Sequence, residues 1–479
     1  MSVKPPSPDL LQRFAAICGP AYALTDPAAM TPYLCEPRAF YPAKTPLVLR
    51  PGSVDEVSSI LKLATETGTA IVPQSGNTGL VGGQIPRRDT PDIVLSLDRM
   101  NRIRDVDPVG NTLTCDGGAI LADVQAAASA ANRLFPLSLG SEGSCRIGGN
   151  LATNAGGTGV LAYGNMRSLC LGLEVVLPTG EIWNGLRRLK KDNTGYDLRD
   201  LFIGSEGTLG VITGAVLKLF PQPAGHQVAF AGLKSPEDAL RLFELATGLC
   251  HTALTGFELI ARIGVEFTTR HIPGVRDPLS QPHDWYVLID ISTADTADSA
   301  ERLMSAVLEQ GFEAGIIEDA VVAASVAQQN ALWHLRESMS ESQRPEGGSI
   351  KHDVSVPVSH IPAFMAEAGA AVLAVLPGAR LCPFGHMGDG NIHYNVSQPV
   401  GADKQAFLAR WHEINRIVHE IVLKHGGSIS AEHGIGQLKR DELAAIRGDS
   451  IEMVLMRRIK QAFDPAGIMN PGKVLSEAP

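Results

Sequence analysis

The segment Phe384-Gly-His-Met-Gly-Asp-Gly-Asn-Ile-His-Tyr-Asn395 predicts two short strands joined by a tight turn. Its central Gly-Asp-Gly supplies residues that accept left-handed backbone and the local hydrogen bonds of a sharp reversal. His386 and His393 flank this turn, so a hairpin would bring their rings together. Because side chains alternate along a strand, His393 and Asn395 share one face of the second arm. The pattern predicts a polar site built on a hairpin.

A second polar pair, Glu432-His433, follows later in a glycine-rich segment. Two imidazoles and one carboxylate form the ligand set of an open catalytic metal site, so His386, His393 and Glu432 are candidate ligands. His433, next to the ligand Glu432, is then a candidate base. The alternative is that they are ordinary turn and core residues, because the chain has 13 histidines.

Composition limits the class of protein. A chain of 479 residues is too long for one ordinary core, and its net charge of −10 argues against binding nucleic acid or an anionic membrane surface. Its seven cysteines show no CxxC spacing, which favours reduced thiols in a cytoplasmic protein. The N-terminal residues contain no apolar signal core and no basic presequence pattern, and we expect no membrane span.

Two glycine-rich regions are candidate cofactor loops. Pro73–Gly83 follows a predicted strand and exposes many main-chain N–H groups, which suits a pyrophosphate, although its spacing is not the Rossmann fingerprint. Leu139–Gly164 is nearly uncharged and rich in glycines and hydroxyls. Such a loop loses much conformational entropy on folding, and a bound dinucleotide would supply the compensating contacts. The alternative is that the first loop is only a structural turn.

The rest of the chain alternates helical and strand patterns. A capping box at Ser53–Glu56 opens a helix between strands at 47–50 and 70–72, which predicts a βαβ unit. After residue 222, paired strands and helices predict a separate α+β domain with an antiparallel sheet. A helix over 325–342 would place Arg336 and Ser340, four residues apart, on one face.

Several motifs, in the same order, resemble those of the FAD-linked D-2-hydroxy acid dehydrogenases, which are flavoproteins of the vanillyl-alcohol oxidase type. The motifs are Gly76–Gly83, Ser144–Gly157, Ser205–Thr213, Gly385–His393, Ala431–Gly434 and Asn470–Lys473. The resemblance implies an α+β fold with an FAD-binding domain at 1–222 and a substrate domain at 223–424, whose antiparallel sheet is covered by helices. A C-terminal segment, 425–479, would return to the flavin.

The resemblance also implies which residues hold the cofactor. They are Gln74, Ser75, Gly76, Asn77, Thr78, Gly79, Leu139, Gly140, Ser141, Gly143, Ser144, Gly148, Asn150, Thr153, Gly157, Ile212 and Asn470. No His or Cys stands where relatives attach FAD covalently, so we expect non-covalent FAD. Cys145 is expected to be a packed loop thiol.

Within the family, the chain is most similar to the members that oxidise D-2-hydroxyglutarate. Arg336 and Lys351 match positions that bind the far carboxylate of this diacid, and Ser340 stands where those enzymes have a threonine. Without the resemblance, the alternative for Arg336 is a surface ion pair with the adjacent Glu337. Oxidation of D-lactate or glycolate is the alternative substrate assignment.

The predicted chemistry is removal of the hydroxyl proton and transfer of the Cα hydride to flavin. A divalent metal, with zinc preferred to manganese, cobalt or iron, would act as a Lewis acid, His433 would take the proton, and Asn395 would bind the substrate. The expected acceptor is an electron-transfer flavoprotein or a quinone, and a homodimer is the default assembly. A metallohydrolase whose glycine loops are only turns is the alternative from another class. A non-catalytic flavin-binding subunit is a further alternative, against which the complete metal ligand set argues.

Overall fold

The computed structural model describes residues 5–476, which form two compact units. Unit 1 contains the chain up to Gly156, Asn165–Pro221 and the segment that starts at His433. Unit 2 contains Gly157–Gly164 and Gln222–Glu432. The domain limits 1–222, 223–424 and 425–479 stay a prediction, and the units differ from them at residues 157–164, 222 and 425–432.

The helices are numbered here in chain order. They are α1 Pro8–Cys18, α2 Pro27–Leu34, α3 Val54–Thr67, α4 Leu121–Ala130, α5 Ile147–Ala152, α6 Val160–Tyr163, α7 Met166–Leu169, α8 Arg199–Phe202, α9 Pro236–Cys250, α10 Arg262–His271, α11 Ala297–Glu313, α12 Val326–Glu337, α13 Met339–Ser342, α14 Ile361–Val375, α15 Lys404–Ala409, α16 Trp411–Lys424, α17 Arg440–Arg447 and α18 Ile451–Phe463. Short 3₁₀ turns occur at Pro20–Tyr22, His251–Ala253, Val358–His360 and Met387–Asp389.

The strands are numbered in the same way. They are β1 Ala23–Leu24, β2 Val48–Leu49, β3 Ile71–Gln74, β4 Ile93–Ser96, β5 Ile103–Asp107, β6 Thr112–Asp116, β7 Arg133–Leu134, β8 Cys170–Val176, β9 Ile182–Gly185, β10 Val211–Lys218, β11 Phe220–Pro221, β12 Gly225–Leu233, β13 Leu254–Ala261, β14 Trp285–Thr293, β15 Asp319–Val322, β16 Ser349–Ile350, β17 Val354–Ser355, β18 Arg380–His386 and β19 Asn391–Ser397.

Unit 1 contains a four-stranded sheet, a five-stranded sheet and a small pair. The first has the order β1-β2-β4-β3, in which β4 runs parallel to both β2 and β3. The second, β5-β6-β10-β8-β9, is antiparallel throughout. Helix α3 begins where the Ser53 hydroxyl accepts from the Glu56 N–H and ends at Gly68 with φ +64°, as the capping pattern predicts. The predicted β2-α3-β3 unit therefore forms, with β4 inserted between its two strands.

Unit 2 is built on an eight-stranded sheet, whose main order is β15-β12-β14-β13-β18-β19-β16, with β17 also paired to β19. The predicted antiparallel pairing is present between every pair of adjacent strands. Side chains that alternate along the strands lie on opposite faces of the sheet, and each face packs against its own hydrophobic core. Phe257 and Leu259 belong to the larger core, which includes residues of α9, α11, α14 and α16. Ile260 and Phe384 belong to the other core, which includes residues of α10 and α12.

The helix predicted over 325–342 is interrupted. It stops at Ser338 and resumes as α13. The Ser338 N–H makes the last helical bond of α12, to the His334 carbonyl at 3.1 Å, and the Ser338 hydroxyl lies 3.4 Å from His334 Nδ1, a local side-chain contact of the kind that competes with helical bonding. As a result Arg336 is buried while Ser340 is exposed, so the two do not share one helix face.

Among the described residues, one helical stretch, Val358–Val375, is long and apolar enough for a membrane span by composition. The expectation that the chain has no membrane span stays a prediction, which this one candidate does not overturn. Ile361, Phe364 and Val372 of this stretch are fully buried in the large core of unit 2. A core helix passes the same test of length and apolarity, so its composition does not identify a span.

Candidate functional site

The predicted hairpin forms, with β18 and β19 joined by a 3₁₀ turn. Phe384 lies opposite His393 in the register, and the His386 and His393 rings are 5.6 Å apart, centre to centre. Only the last glycine of the turn, Gly390, has positive φ, at +89°. The hairpin thus brings together the two imidazoles that the sequence pattern paired.

Glu432 completes this cluster from the segment that follows α16. Asp353 fixes that segment, since its Oδ2 accepts the Glu432 N–H at 3.0 Å and its main-chain carbonyl accepts the Ala431 N–H at 3.3 Å. The Glu432 carboxylate lies 3.6 Å from His386 Nε2 and 3.9 Å from His393 Nε2. One donor atom from each of the three residues lies within 4.8 Å of the other two.

The His386 ring is oriented by a carboxylate that the sequence patterns did not identify. Glu258 on β13 is 1% exposed, and its Oε1 accepts from His386 Nδ1 at 2.6 Å. The other oxygen, Oε2, pairs with Arg336, whose Nε lies at 2.7 Å and Nη2 at 2.6 Å. Since Nδ1 faces Glu258, Nε2 is the nitrogen that faces Glu432 and the one that would bind a metal.

The charges in this cluster favour a bound cation. Burial opposes the His386 cation, but the neighbouring Glu258 carboxylate outweighs it and raises the pKa of His386 to about 9. Burial, followed by the charges of Asp353 and Asp389, raises the pKa of Glu432 to about 7 against the opposing effect of His386. Burial also raises the pKa of Asp389 to about 6. A divalent ion would compensate these acids, and the two-imidazole, one-carboxylate donor set fits zinc, manganese, cobalt or iron.

The predicted substrate residues occupy different environments in unit 2. Arg336 is 6% exposed and engaged with Glu258, which excludes the alternative of a surface ion pair with Glu337. Lys351 Nζ donates to the hydroxyl and the carbonyl of Ser340, both at 2.9 Å, so these two predicted residues meet. Asn395 is buried, and among the described residues nothing bonds to its Oδ1.

A separate cleft in unit 1 spans about 850 Å³ of empty space, open solvent included. Ten of the residues assigned to FAD line it, and so does His433. They are Gln74, Ser75, Gly76, Asn77, Thr78, Gly79, Gly148, Asn150, Thr153 and Ile212. The first glycine loop, helix α5 and the start of β10 therefore form one surface.

At the wall of this cleft, glycine main chain packs closely against other main-chain segments. A Cβ on Gly76 would lie 2.7 Å from the Ser144 carbonyl oxygen, and one on Gly148 would lie 2.8 Å from that of Gly117. No residue in the described part of the chain accepts a hydrogen bond from the main-chain N–H groups of 76–79. Such a row of N–H groups matches the oxygens of a pyrophosphate, so the residues present fit a dinucleotide.

Other residues assigned to FAD do not line the cleft as the structure describes it. Leu139, Gly140, Ser141, Gly143 and Ser144 form a turn closed by its own main-chain hydrogen bonds. Two more residues of the assigned set lie elsewhere. Gly157 belongs to unit 2, and Asn470 lies behind the wall, where its Nδ2 donates to the carbonyls of Gly83 and Glu206.

Several lining residues were missed. They are Pro73, Val81, Gly83, Gln84, Leu97, Arg146, Gly149, Ala152, Glu206, Gly207, Gly210 and Val211. Glu206 is the most informative of them, because burial raises its pKa to about 7 although the Ile435 and Gly436 N–H groups and two nearby lysines oppose the shift. Its position between glycines in Gly204-Ser-Glu-Gly207 was the available signal.

Comparison with known families matches both halves of the chain. Residues 45–185 match the FAD binding domain, and residues 222–474 match the C-terminal domain of FAD linked oxidases. A D-2-hydroxyglutarate–pyruvate transhydrogenase of Saccharomyces cerevisiae is 38% identical over 443 residues, covering 91% of this chain and 87% of the yeast protein. A mitochondrial D-2-hydroxyglutarate dehydrogenase of Arabidopsis thaliana is 37% identical over 435 residues, covering 91% of this chain and 76% of the plant protein.

The fold has a close counterpart among solved structures. Substrate-bound p-cresol methylhydroxylase superposes with a TM-score of 0.76 at 17% identity, covering 97% of this chain and 96% of that protein. The predicted α+β fold of the vanillyl-alcohol oxidase type is therefore confirmed, as are FAD and the family resemblance. The metallohydrolase alternative is excluded by the same matches.

The prediction of a cytoplasmic protein is wrong. The Arabidopsis relative, and those of Danio rerio and Bos taurus, are named as mitochondrial enzymes. The prediction relied on seven unpaired cysteines, which the structure does show as free thiols. Free thiols indicate a reducing environment, which is not unique to the cytoplasm, so they carry no information on this point.

Proposed function

We propose that this chain, which belongs to the family of FAD-linked D-2-hydroxy acid dehydrogenases, oxidises D-2-hydroxyglutarate to 2-oxoglutarate with the help of a divalent metal. The observation that supports the proposed metal is the convergence of His386, His393 and Glu432 on one face of the sheet of unit 2. The relatives named for D-2-hydroxyglutarate support the substrate.

His386, His393 and Glu432 would hold the metal, which when bound supplies Lewis acidity toward the 2-hydroxyl and carboxylate of the substrate. FAD, held at the glycine-lined cleft of unit 1, supplies the hydride acceptor. His433 lines that cleft and takes the hydroxyl proton, because an imidazole titrates close to working pH. FAD is held without a covalent bond, since Gln74, Ser75 and Asn77 occupy the loop where an attaching residue would stand.

The substrate is oriented by groups at its two ends. The amide of Asn395, whose Oδ1 is buried without a partner among described residues, is available to the 2-hydroxyl end. Lys351, whose Nζ donates to Ser340, supplies a point charge for the far carboxylate. Arg336, which is paired with Glu258, is the second cation that we assign to this carboxylate. A diacid then gains contacts that a monoacid such as lactate lacks.

The electron acceptor is an electron-transfer flavoprotein or a quinone. The name of the yeast relative makes pyruvate a third candidate, with reduction to lactate in the second half-reaction. Comparing reoxidation of the reduced protein by a quinone analogue and by pyruvate separates these acceptors.

The test of the proposal is dye-linked oxidation of D-2-hydroxyglutarate, D-malate, D-lactate and glycolate, each with and without EDTA. We expect preference for D-2-hydroxyglutarate, loss of activity on chelation and recovery on adding zinc, manganese or cobalt. Preference for lactate would contradict the diacid assignment but not the role of the metal. Full activity of protein shown to be free of metal would contradict the role of the metal.

A further inference from the structure

We propose that Glu258 is the positioning residue of the metal centre and that Arg336 acts through it as well as on the substrate. The inference rests on the proposed metal, and it assigns a role to a carboxylate that no sequence motif marks. Glu258 would set the tautomer and direction of His386, and Arg336 would hold Glu258 in its ionised, fixed position.

The strand register places Glu258 for this role. Glu258 on β13 lies directly opposite His386 on β18, so both side chains leave the same face of the sheet. The 2.6 Å contact from Nδ1 to Oε1 joins them. A histidine ligand whose second nitrogen donates to a carboxylate is fixed in orientation and made more basic at the nitrogen that binds metal.

Arg336 is bound to the other side of the same carboxylate. Its Nε and Nη2 both lie within 2.7 Å of Glu258 Oε2, and its guanidinium carbon lies 4.8 Å from the centre of the Phe384 ring. The Phe384 ring in turn lies 5.2 Å from that of His393, the second imidazole of the cluster. Arg336 thus contacts one neighbour of each metal-site histidine, namely Glu258 beside His386 and Phe384 beside His393.

This arrangement changes what Arg336 is expected to do. A cation that only recognised the far carboxylate would matter for diacids and not for D-lactate. An arginine that also neutralises a buried Glu258 matters for every substrate, because without it the carboxylate is buried beside a single imidazole. Loss of Arg336 is then expected to weaken metal binding before any substrate is added.

The test measures the affinity of the purified full-length flavoprotein for zinc and for cobalt, by competition against a chelator. The proteins compared are wild type, Glu258→Gln, Glu258→Ala and Arg336→Lys. The matched control is Asp290→Asn. Asp290 is another buried carboxylate on a neighbouring strand that bonds a histidine, His226, at 2.9 Å, and it touches none of the three metal candidates. FAD absorbance and thermal unfolding report whether each variant is folded.

We expect Glu258→Ala to bind metal about 10- to 100-fold more weakly than wild type, with FAD content unchanged and Asp290→Asn at the wild-type value. Glu258→Gln, which keeps an acceptor oxygen, is expected to lie between them. Arg336→Lys is expected to lower both metal affinity and D-lactate oxidation.

Wild-type metal affinity in folded Glu258→Ala would overturn the role of Glu258. Wild-type metal affinity in Arg336→Lys, with a defect confined to diacids, would overturn the role given to Arg336. If the wild-type protein itself binds neither zinc nor cobalt, the proposed metal fails first and the inference falls with it. If Glu258→Ala does not fold, Glu258→Gln decides by the same comparison.

Discussion

The carboxylate of Glu206 accepts a hydrogen bond from the main-chain N–H of Ile435 at 2.7 Å, two residues beyond His433. Its second oxygen accepts the Gly436 N–H at 2.8 Å. Glu206 itself is buried in a left-handed conformation, φ +52°, which a non-glycine residue adopts only under constraint from its surroundings. One side chain at the wall of the cleft therefore fixes the segment that carries the candidate base.

Replacing Glu206 by alanine is expected to destabilise unit 1 and slow catalysis. Two main-chain N–H groups lose their acceptor, at a cost of about 1–3 kcal/mol for each one left unsatisfied. Chemical unfolding would show the stability loss, and stopped-flow reduction of the flavin would show the rate. Glu66→Ala, an exposed helical glutamate of the same unit, is the control. Stability equal to that of the control variant would contradict a fixing role.

Glu206 also predicts a pH dependence of stability. Burial raises its pKa from 4.5 to about 7 in the folded protein, so the native state holds this proton more tightly than the unfolded chain. Its contribution to stability is full below pH 4.5 and is lost as the pH rises toward 7. The melting temperature of wild type relative to Glu206→Gln should fall across this window. A difference that is constant or rises with pH would show that Glu206 is ionised throughout.

His433→Asn is expected to lower the rate of flavin reduction by about 100- to 10,000-fold, the usual contribution of a general base. FAD content should stay at the wild-type level, because main-chain groups of the glycine loops hold the cofactor. His412→Asn, an exposed histidine on α16, serves as the control for loss of an imidazole. If both variants reduce flavin at the wild-type rate, another group takes the proton.

Lys351→Ala is expected to raise KM for D-2-hydroxyglutarate and leave D-lactate kinetics unchanged. A hydrogen bond to a charged group contributes about 1.5–3 kcal/mol, which corresponds to a loss of kcat/KM of roughly 10- to 150-fold. Steady-state kinetics on both substrates measure this difference, and Lys404→Ala at an exposed helix start is the matched control. An unchanged KM for the diacid would show that Lys351 does not bind it.

Ser340→Thr is expected to behave like wild type, since threonine keeps the hydroxyl that accepts from Lys351. Ser340→Ala, which removes that hydroxyl, should raise KM for the diacid by less than Lys351→Ala does. Kinetics of the two variants measured side by side test the pairing of Ser340 with Lys351. Equal defects in Ser340→Thr and Ser340→Ala would point to packing at this position and not to the hydrogen bond.

The local parts of the site were predictable because their signals lie close together in sequence. The glycine turn and the spacing of His386 and His393 define the hairpin, and the loop at 73–83 defines one wall of the cleft. Glu258 and Glu206 were not identified, because their partners lie 128 and 229 residues away. A lone glutamate in the apolar run Leu254–Ala261 was the overlooked signal, since a buried carboxylate requires a partner.

Another prediction was wrong because a continuous helical pattern in the sequence was taken for one continuous helix. The periodicity of 325–342 does not reveal that Ser338 ends the helix, so Arg336 and Ser340 were placed on one face. The assignment of Leu139, Gly140, Ser141, Gly143 and Ser144 to FAD stays a prediction; these residues lie in a turn that is closed by its own main-chain hydrogen bonds.

The register between β13 and β18 makes metal affinity a reporter of folding. A slip of one residue would replace Glu258 opposite His386 with an apolar neighbour and turn the carboxylate into the opposite core. Molecules with that error would keep most of their secondary structure and their flavin cleft, but would lack the oriented imidazole. A fraction of molecules with this register error would therefore lower the metal bound per flavin below one equivalent while the preparation stayed fully yellow.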